Sequence, residues 1–299
     1  MRGKDPVSQV HVPGRKFAMY PKPGKSARHA TSALLQMVTM LNNAGWSLGG
    51  KFSVSDFLVS PLGLLKFEAD LLCNLEKITP QCRKKDMKAA GDVACIGIFQ
   101  GATNMPADMK NLLKLLRNFK VTNLIVILNH PALLNEAEKL SLFGCMYMRW
   151  LQLQKLDKVK YNAIIAKMPY CKGEQKSQWK ARVSKSKYLQ RVLNFNSSVT
   201  SPPASCPTCG ATRIRQRKTK FYTRRGVGLL RLVRNSFQHL VDQSVKNLLQ
   251  LFKFLQMEHV VGHPLPRIIC MFMMAMHHEG EFECQKWHEP ALCMVLLQR

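Results

Sequence analysis

The chain contains few acidic residues: 18 Asp and Glu stand against 45 Lys and Arg among 299 residues, so the formal net charge is +27. The excess is concentrated, because residues 155–234 hold 20 Lys and Arg and only two acids, Asp157 and Glu174. A strip of this kind is typical of proteins that bind a polyanion, most often nucleic acid. Charge alone leaves a solvated surface without a specific ligand as an equal alternative.

Long apolar runs are absent as well. No run approaches the roughly 18 residues that a membrane span requires, so we predict no span. Residues 1–25 have no apolar signal core and contain four prolines, and we predict a flexible tail there. The ten cysteines follow no regular framework, which favours free thiols in a reducing compartment and hence a cytoplasmic location.

One segment combines an apolar helical face with polar groups suited to phosphate chemistry. Read as a helix, residues 229–241 place their apolar positions on one side at 3.6-residue spacing. Arg231, Asn235 and His239 then form a ridge beside that face, and Arg234 lies in a second polar row. Two guanidiniums, an amide and an imidazole on neighbouring turns favour a phosphate held next to a proton-transfer group.

The pattern L-L-R-x-V-R-N-x-x-x-H at residues 229–239 resembles the kinase-extension nuclease domain of RNase L and of the unfolded-protein-response sensor kinase/endoribonucleases. Other segments resemble the family in the same order. Residues 265–269 are similar to a family helix start, and residues 282–290 to the family's tail. Upstream, residues 130–131 and 138–143 resemble the junction where the family's kinase fold ends.

Residues before that junction resemble the C-terminal lobe of a protein kinase that lacks its N-terminal lobe. Residues 56–59 (D-F-L-V) stand where kinases have N-x-L-V, and Asp92 and Gly97 stand at the D-x-x-x-x-G helix that anchors the lobe. Residues 49–51 (G-G-K) replace the H-R-D triplet, and Ala69 replaces the metal-binding aspartate. We therefore expect no kinase activity and a scaffold role for this part.

The predicted fold is mainly α: a helical remnant of a kinase C-lobe followed by an all-α kinase-extension nuclease domain. The predicted divisions are the tail (1–25), the degenerate lobe (26–150) and the nuclease domain (151–299), with a basic insert near 172–220. Periodicity predicts a hairpin at 56–67 and helices at 32–42, 92–99, 109–119, 135–153, 226–258 and 266–277.

The family resemblance implies RNA cleavage without metal. In that chemistry His239 is the general acid, Arg234 and Asn235 hold the scissile phosphate, and Tyr222 is the base or orients the 2′-hydroxyl. The product would end in a 2′,3′-cyclic phosphate. Further RNA contacts are predicted for basic side chains near the motif, namely Arg231, Arg224, Arg225, Lys218 and Lys220.

We predict no cofactor. Cys206 and Cys209 resemble half of a zinc site, but no second pair has ligand spacing, so we predict no metal and favour a flexible surface turn over zinc binding. RNA is the predicted partner. The family also implies a homodimer, or a heterodimer with an intact kinase–endoribonuclease through which the chain would reach the nucleus or the endoplasmic reticulum surface.

A second function is open at this point. Gly228 stands where the family usually has an acidic residue, and contacts that depend on that carboxylate would be lost. The alternative to a nuclease is therefore a catalytically inert module that binds RNA or forms a heterodimer with an intact family member.

Overall fold

The structure, a computed structural model, describes residues 6–12, 18–59, 65–169, 178–194, 226–245 and 257–282. This part of the chain is mainly helical, which confirms the predicted fold class at that level. The strands are β1 (Val7–His11), β2 (Met19–Pro23), β3 (Trp46–Ser47), β4 (Phe57–Val59), β5 (Leu65–Phe67) and β6 (Glu76–Lys77). The helices are α1 (Lys25–Asn43), α2 (Ala69–Leu72), α3 (Pro80–Val93), α4 (Ala107–Arg117), α5 (Leu124–Leu128), α6 (Glu136–Leu156), α7 (Lys158–Lys167), α8 (Gln178–Val183), α9 (Lys187–Asn194), α10 (Gly226–Val245), α11 (Met257–Gly262) and α12 (Ile268–His278).

Most of these elements were predicted from periodicity. Four predicted helices are confirmed as α1, α4, α6 and α12, and the predicted hairpin is confirmed as antiparallel β4–β5, with Phe57 opposite Phe67. The helix predicted at 92–99 joins the end of α3 to a π-helical turn at Ala94–Ile98. The long helix predicted from residue 226 is confirmed as α10 up to Val245.

The N-terminal segment contains an antiparallel hairpin, β1–β2, where a flexible tail was predicted. Val10 and Val12 alternate with polar His11, and such β-branched residues suit a strand. Pro21 and Pro23 are tolerated in β2 because a two-stranded sheet leaves one edge of each strand without ladder hydrogen bonds. Prolines favour a flexible tail in the sequence, but at the free edge of a two-stranded sheet they are compatible with a strand.

The same hairpin ties the start of the chain to its later helices. The ring of Tyr20 on β2 packs against His259 of α11, with ring centroids 5.4 Å apart. Lys22 on β2 forms an ion pair with Glu136 at the start of α6. The space around Tyr20 is tight, because a Cβ added to Gly262 would lie 2.8 Å from its hydroxyl oxygen.

Two clusters of buried apolar side chains divide the described chain. We call residues 6–133 the first half and residues 136–282 the second half. The first cluster surrounds α1, α3 and α4, and the second surrounds α6. Helix α6 contributes to the second cluster from Leu142 onward, and Val126 of α5 also belongs to it, whereas Ile127 and Ala132 belong to the first.

A buried carboxylate fixes the loop that follows α1. Asp86 on α3 is fully buried and accepts hydrogen bonds from Asn42 Nδ2 (2.8 Å), Ser47 Oγ (2.7 Å) and the backbone N–H of Gly50 (2.7 Å). The backbone N–H of Leu48 adds a longer bond of 3.3 Å. An ionised carboxylate provides about four acceptor positions, so this network satisfies it without a cation.

The predicted kinase-like position of Asp92 and Gly97 stays a prediction, but Asp86 and Gly91 have the same D-x-x-x-x-G spacing, and of the two aspartates Asp86 is the buried one. Asp92 is at the surface, 3.5 Å from Arg117. Gly91 permits the close approach of α3 and α4, because an added Cβ would lie 3.1 Å from the Cβ of Leu116. The two segments have the same pattern, so the sequence alone does not show which aspartate is buried.

His130 is a second fully buried polar group of the first half. Its Nδ1 accepts a hydrogen bond from the backbone N–H of Ala132 (3.1 Å), so its Nε2 carries the proton and donates to Asn111 Oδ1 (3.0 Å). Burial, with a smaller contribution from Lys139, lowers the pKa of His130 from 6.5 to about 3. The folded protein therefore holds this imidazole neutral.

The second half is built on aromatic side chains of α6. The helix begins with a capping box in which the N–H of Glu138 donates to Asn135 Oδ1 (3.0 Å) and the N–H of Asn135 donates to Glu138 Oε2 (2.7 Å). Phe143, Tyr147 and Trp150 then recur at four- and three-residue spacing and are buried. Helices α7, α10 and α12 pack on this helix.

Four of the described cysteines, Cys73, Cys82, Cys95 and Cys270, are free thiols. Cys145 on α6 is disulfide-bonded, so the prediction of free thiols is wrong for this residue. None of the helices in the described part of the chain combines the length and apolarity that a membrane crossing requires.

Replacing Asp86 with alanine leaves several buried donors without an acceptor. We expect Asp86→Ala to lower the free energy of unfolding by roughly 3–5 kcal/mol, since each unsatisfied donor costs about 1–3 kcal/mol and neighbouring losses are not additive. Urea unfolding of purified protein measures this change. The matched control is Asp92→Ala at the surface, where we expect a change within about 0.5 kcal/mol. Equal losses of unfolding free energy in the two variants would contradict a stabilising role for the hydrogen bonds of Asp86.

The depressed pKa of His130 predicts acid sensitivity. The unfolded state binds this proton more tightly than the folded state, so the contribution of His130 is complete above pH 6.5 and is lost as the pH falls toward 3. The slope is about 1.4 kcal/mol for each pH unit. His130→Asn keeps a capping acceptor without a titrating ring, and its unfolding free energy, measured across this range, should lack that component; an unchanged slope would contradict the prediction.

Candidate active site on helix α10

Helix α10 carries the residues of the L-L-R-x-V-R-N-x-x-x-H pattern. Its apolar face packs into the second cluster as predicted, with Leu229, Leu230, Val233 and Phe237 buried. The buried face is wider than predicted, because Leu232 and Ser236 are also fully buried. Of the side chains described from residue 231 onward on this helix, Arg231 and Arg234 are half-buried and the others are buried.

The start of α10 is pressed against the end of α7. A Cβ added to Gly226 would lie 3.3 Å from Ile165 Cγ2, from the Ile165 carbonyl oxygen and from Met168 Cβ. Further along, the Phe237 ring meets Phe143 of α6 edge to face, with centroids 5.4 Å apart. These contacts fix the rotation of the helix, and so the direction in which its polar residues point.

Arg234 and Asn235 are in contact. Arg234 Nη1 donates to Asn235 Oδ1 at 3.1 Å, and Asn235 is only 7 % exposed while Arg234 is half-buried. A guanidinium has five N–H donors, so this bond leaves donors of Arg234 for a phosphate. The structure thus brings together two of the four predicted catalytic residues.

Arg231 lies one turn earlier and is directed toward α6. Its guanidinium donates to the hydroxyl of Tyr147 and also acts electrostatically on Tyr161 of α7. Burial raises the pKa of Tyr147, and the charges of Arg231 and Arg234 offset part of that rise. The Tyr147 hydroxyl is therefore a neutral partner beside two guanidiniums.

Tyr147 was not among the residues predicted for the site. The sequence does contain a signal for it, since Phe143, Tyr147 and Trp150 recur on one face of a predicted helix. What sequence cannot supply is the pairing of α6 with α10. Trp150 stacks on Tyr161 with ring centroids 4.7 Å apart and donates from Nε1 to the Tyr161 carbonyl oxygen at 3.4 Å. These contacts hold α7 against α6 beside Tyr147.

Two basic residues near this site are neutralised by an acid. Glu281, which follows α12, accepts hydrogen bonds from Arg149 Nε and from Lys160 Nζ, each at 2.8 Å. Burial opposes the ionisation of Glu281, but these hydrogen bonds outweigh it and lower the pKa of the carboxyl. The pairing ties α6, α7 and the end of α12 together, and it reduces the positive charge that these two residues offer to a polyanion.

A small cavity lies on the other side of Phe237, where the two halves meet. Its volume is about 30 Å³, and its lining includes Lys139, Asp108 and Arg267. This space suits about one water molecule and is far too small for a nucleotide.

The other predicted site residues lie outside what the structure describes. For His239 the helical backbone belongs to α10, but its side chain is not described. The remaining residues fall in undescribed segments: Tyr222, Arg224, Arg225, Lys218, Lys220, Cys206 and Cys209. Their convergence with Arg234 and Asn235, and the zinc site, stay predictions. Among described residues, no group of three or more His, Cys, Asp or Glu is arranged to hold a metal ion.

Comparison of the chain with protein-family models, with curated proteins and with solved structures gave no significant match.

Removing the Tyr147 hydroxyl tests its contact with Arg231. We expect Tyr147→Phe to lower the free energy of unfolding by about 1.5–3 kcal/mol, the contribution of a hydrogen bond to a charged group, since the ring packing is kept. Urea unfolding measures the change. A Tyr147→Phe protein as stable as wild type would show that Arg231 gains nothing from this hydroxyl.

Proposed function

We propose that this chain is a metal-independent endoribonuclease of the kinase-extension type, with an inactive kinase-like part that serves as a scaffold. The observation that carries the proposal is the contact between Arg234 and Asn235 on a helix whose opposite face is packed in the core. A guanidinium and an amide held on rigid backbone are suited to a phosphate, because charge-assisted hydrogen bonds are strongest when their geometry is fixed in advance.

In the proposed reaction, the ribose 2′-oxygen attacks the adjacent phosphorus and the bond to the 5′-oxygen breaks. Tyr222 orients the 2′-hydroxyl or accepts its proton, and His239 donates a proton to the leaving 5′-oxygen. Arg234 and Asn235 stabilise the charge that develops on the phosphorane. The products are a 2′,3′-cyclic phosphate and a 5′-hydroxyl, and no step requires a metal ion.

The wider proposals follow from the same resemblance. RNA is the substrate, the basic strip supplies sequence-independent contacts to its phosphates, and the enzyme acts in the cytoplasm. Family members cleave RNA as dimers, and we propose a homodimer or a heterodimer with an intact kinase–endoribonuclease.

Cleavage of a short RNA hairpin in EDTA tests the proposal. We expect the wild-type protein to cleave it and His239→Ala to reduce the rate at least about 100-fold, because general acid catalysis contributes that much. His278→Ala, which removes an exposed histidine of α12, is the matched control and should cleave at the wild-type rate. The cyclic phosphate is identified by mass spectrometry.

A hairpin methylated at every 2′-oxygen separates binding from chemistry. It lacks the nucleophile, so it should bind and remain intact. Equal cleavage of the unmodified hairpin by wild type and His239→Ala, or cleavage by neither, would remove the nuclease from consideration.

One observation favours the second candidate function, an inert RNA-binding or heterodimerising module. Asn235 is buried, and its carbonyl oxygen is already engaged by Arg234, which is the arrangement expected of a residue that stabilises the helix surface. In this case the methylated hairpin still binds, no variant changes cleavage, and the logarithm of affinity falls linearly with that of salt concentration with a slope that reports several released counterions.

A further inference from the structure

Helix α1 begins without the groups that usually satisfy the start of a helix. The residue before it is Gly24, which has no side chain to cap the helix, and its first turn contains no acidic residue. Among the described residues, no acceptor binds the backbone N–H groups of Lys25, Ser26 and Ala27. These donors and the helix dipole place partial positive charge at this end of α1, which favours an anion.

The side chains at the start of α1 add positive charge where the helix dipole disfavours it. Lys25 and His29 are exposed, and neither forms an ion pair within the described structure. Helix α6 has the opposite arrangement, since its first turn contains Glu136 and Glu138. Glu136 is already paired with Lys22 of β2. The positive charge at the start of α1 is therefore not offset by these carboxylates, and a bound anion would offset it.

Arg28 is a second and independent indication of an anion. It is only 7 % exposed, and its Nη1 is buried without a hydrogen-bond partner. Within the described part of the chain, no hydrogen bond or ion pair involves this guanidinium. A buried cation without a counter-charge is strongly unfavourable. Side chains on a helix lean toward its N-terminus, so Arg28 is directed back over the first turn, where the N–H groups of Ser26 and Ala27 lie.

We propose that the start of α1 binds a phosphate group. The N–H groups of Ser26 and Ala27 and the guanidinium of Arg28 donate hydrogen bonds to its oxygens, and the ammonium of Lys25 supplies a second full charge. A terminal phosphate has three acceptor oxygens for these donors, whereas a carboxylate has two. The ligand is inorganic phosphate or a phosphate carried by a small molecule or by RNA, because these share the recognised group. The site uses no residue of the proposed nuclease.

Titration of the full chain with inorganic phosphate at constant ionic strength, followed by NMR of the backbone amides, tests the site. The amide resonances of Ser26 and Ala27 should shift and saturate, which separates this site from other phosphate contacts of a basic protein. Lys25→Glu should weaken the binding at least about tenfold, because the new carboxylate repels the anion. The same variant should raise the melting temperature without phosphate, since a glutamate suits the helix dipole. Competition by the 2′-O-methylated hairpin identifies the source of the phosphate: a hairpin that competes only with a 5′-phosphate indicates a terminal phosphate, one that competes with a 5′-hydroxyl indicates the RNA backbone, and one that never competes indicates a small ligand.

Two further variants complete the test. Lys88→Glu makes the same change in net charge at an exposed position of α3 and should bind phosphate as the wild type does. Arg28→Met keeps most of the volume without the charge, so it should fold at least as stably as wild type without phosphate and lose the binding. Should Arg28→Met not fold, exposed Lys25 decides. Amides of Ser26 and Ala27 that do not shift in the wild type, or that saturate at the same phosphate concentration in Lys25→Glu, overturn the proposal. The outcome is independent of RNA cleavage.

Discussion

Burial of the aromatic column on α6 is the constraint under which the second half of the chain folds. Phe143, Tyr147 and Trp150 are large side chains on consecutive turns, and an isolated helix cannot remove them from water. Helices α7, α10 and α12 close around the column, and ring contacts between 4.7 and 6.4 Å fix their positions. The direction of the arginines on α10 follows from this packing.

The two arginines of α10 differ in what they contact. Arg231 is directed to a tyrosine hydroxyl inside the second half, whereas the hydrogen bond of Arg234 among the described residues goes to its neighbour Asn235. The sequence pattern does not distinguish the two cations. In the structure, Arg231 links the helix to α6, and Arg234 forms its hydrogen bond within α10.

The spacing of apolar residues predicted the helices and the hairpin well, because the buried face of each element is visible in its own sequence. The helices at α1, α4, α6 and α12 and the hairpin β4–β5 were found in this way. The sequence was less informative about which residues are buried at the ends of elements and about which elements pack together. Asp86 and Asp92 begin the same D-x-x-x-x-G spacing, and the sequence does not show that Asp86 is the buried one, because its burial depends on the loop at residues 47–50. Hairpin β1–β2 was missed since its prolines argue against a strand until the free edges are known.

The candidate site was predicted only where its contacts are local in the sequence. The proximity of Arg234 and Asn235 follows from adjacency on a helix, whereas the role of Tyr147 depends on a contact between α6 and α10, which lie more than 70 positions apart in the chain. Such a contact leaves no periodic trace in a single sequence. The roles assigned to His239 and Tyr222 rest on resemblance to the nuclease family and stay predictions.

The clamp between Tyr20 and His259 joins segments separated by almost the full described chain. During synthesis, β2 leaves the ribosome more than two hundred residues before the helix that receives its ring. Domains generally acquire structure as they emerge, and contacts between remote segments form slowly because a long loop must close first. The hairpin β1–β2 therefore gains its contact with α11 only after that helix is synthesised, and a nascent chain halted before α11 lacks His259 beside the Tyr20 ring.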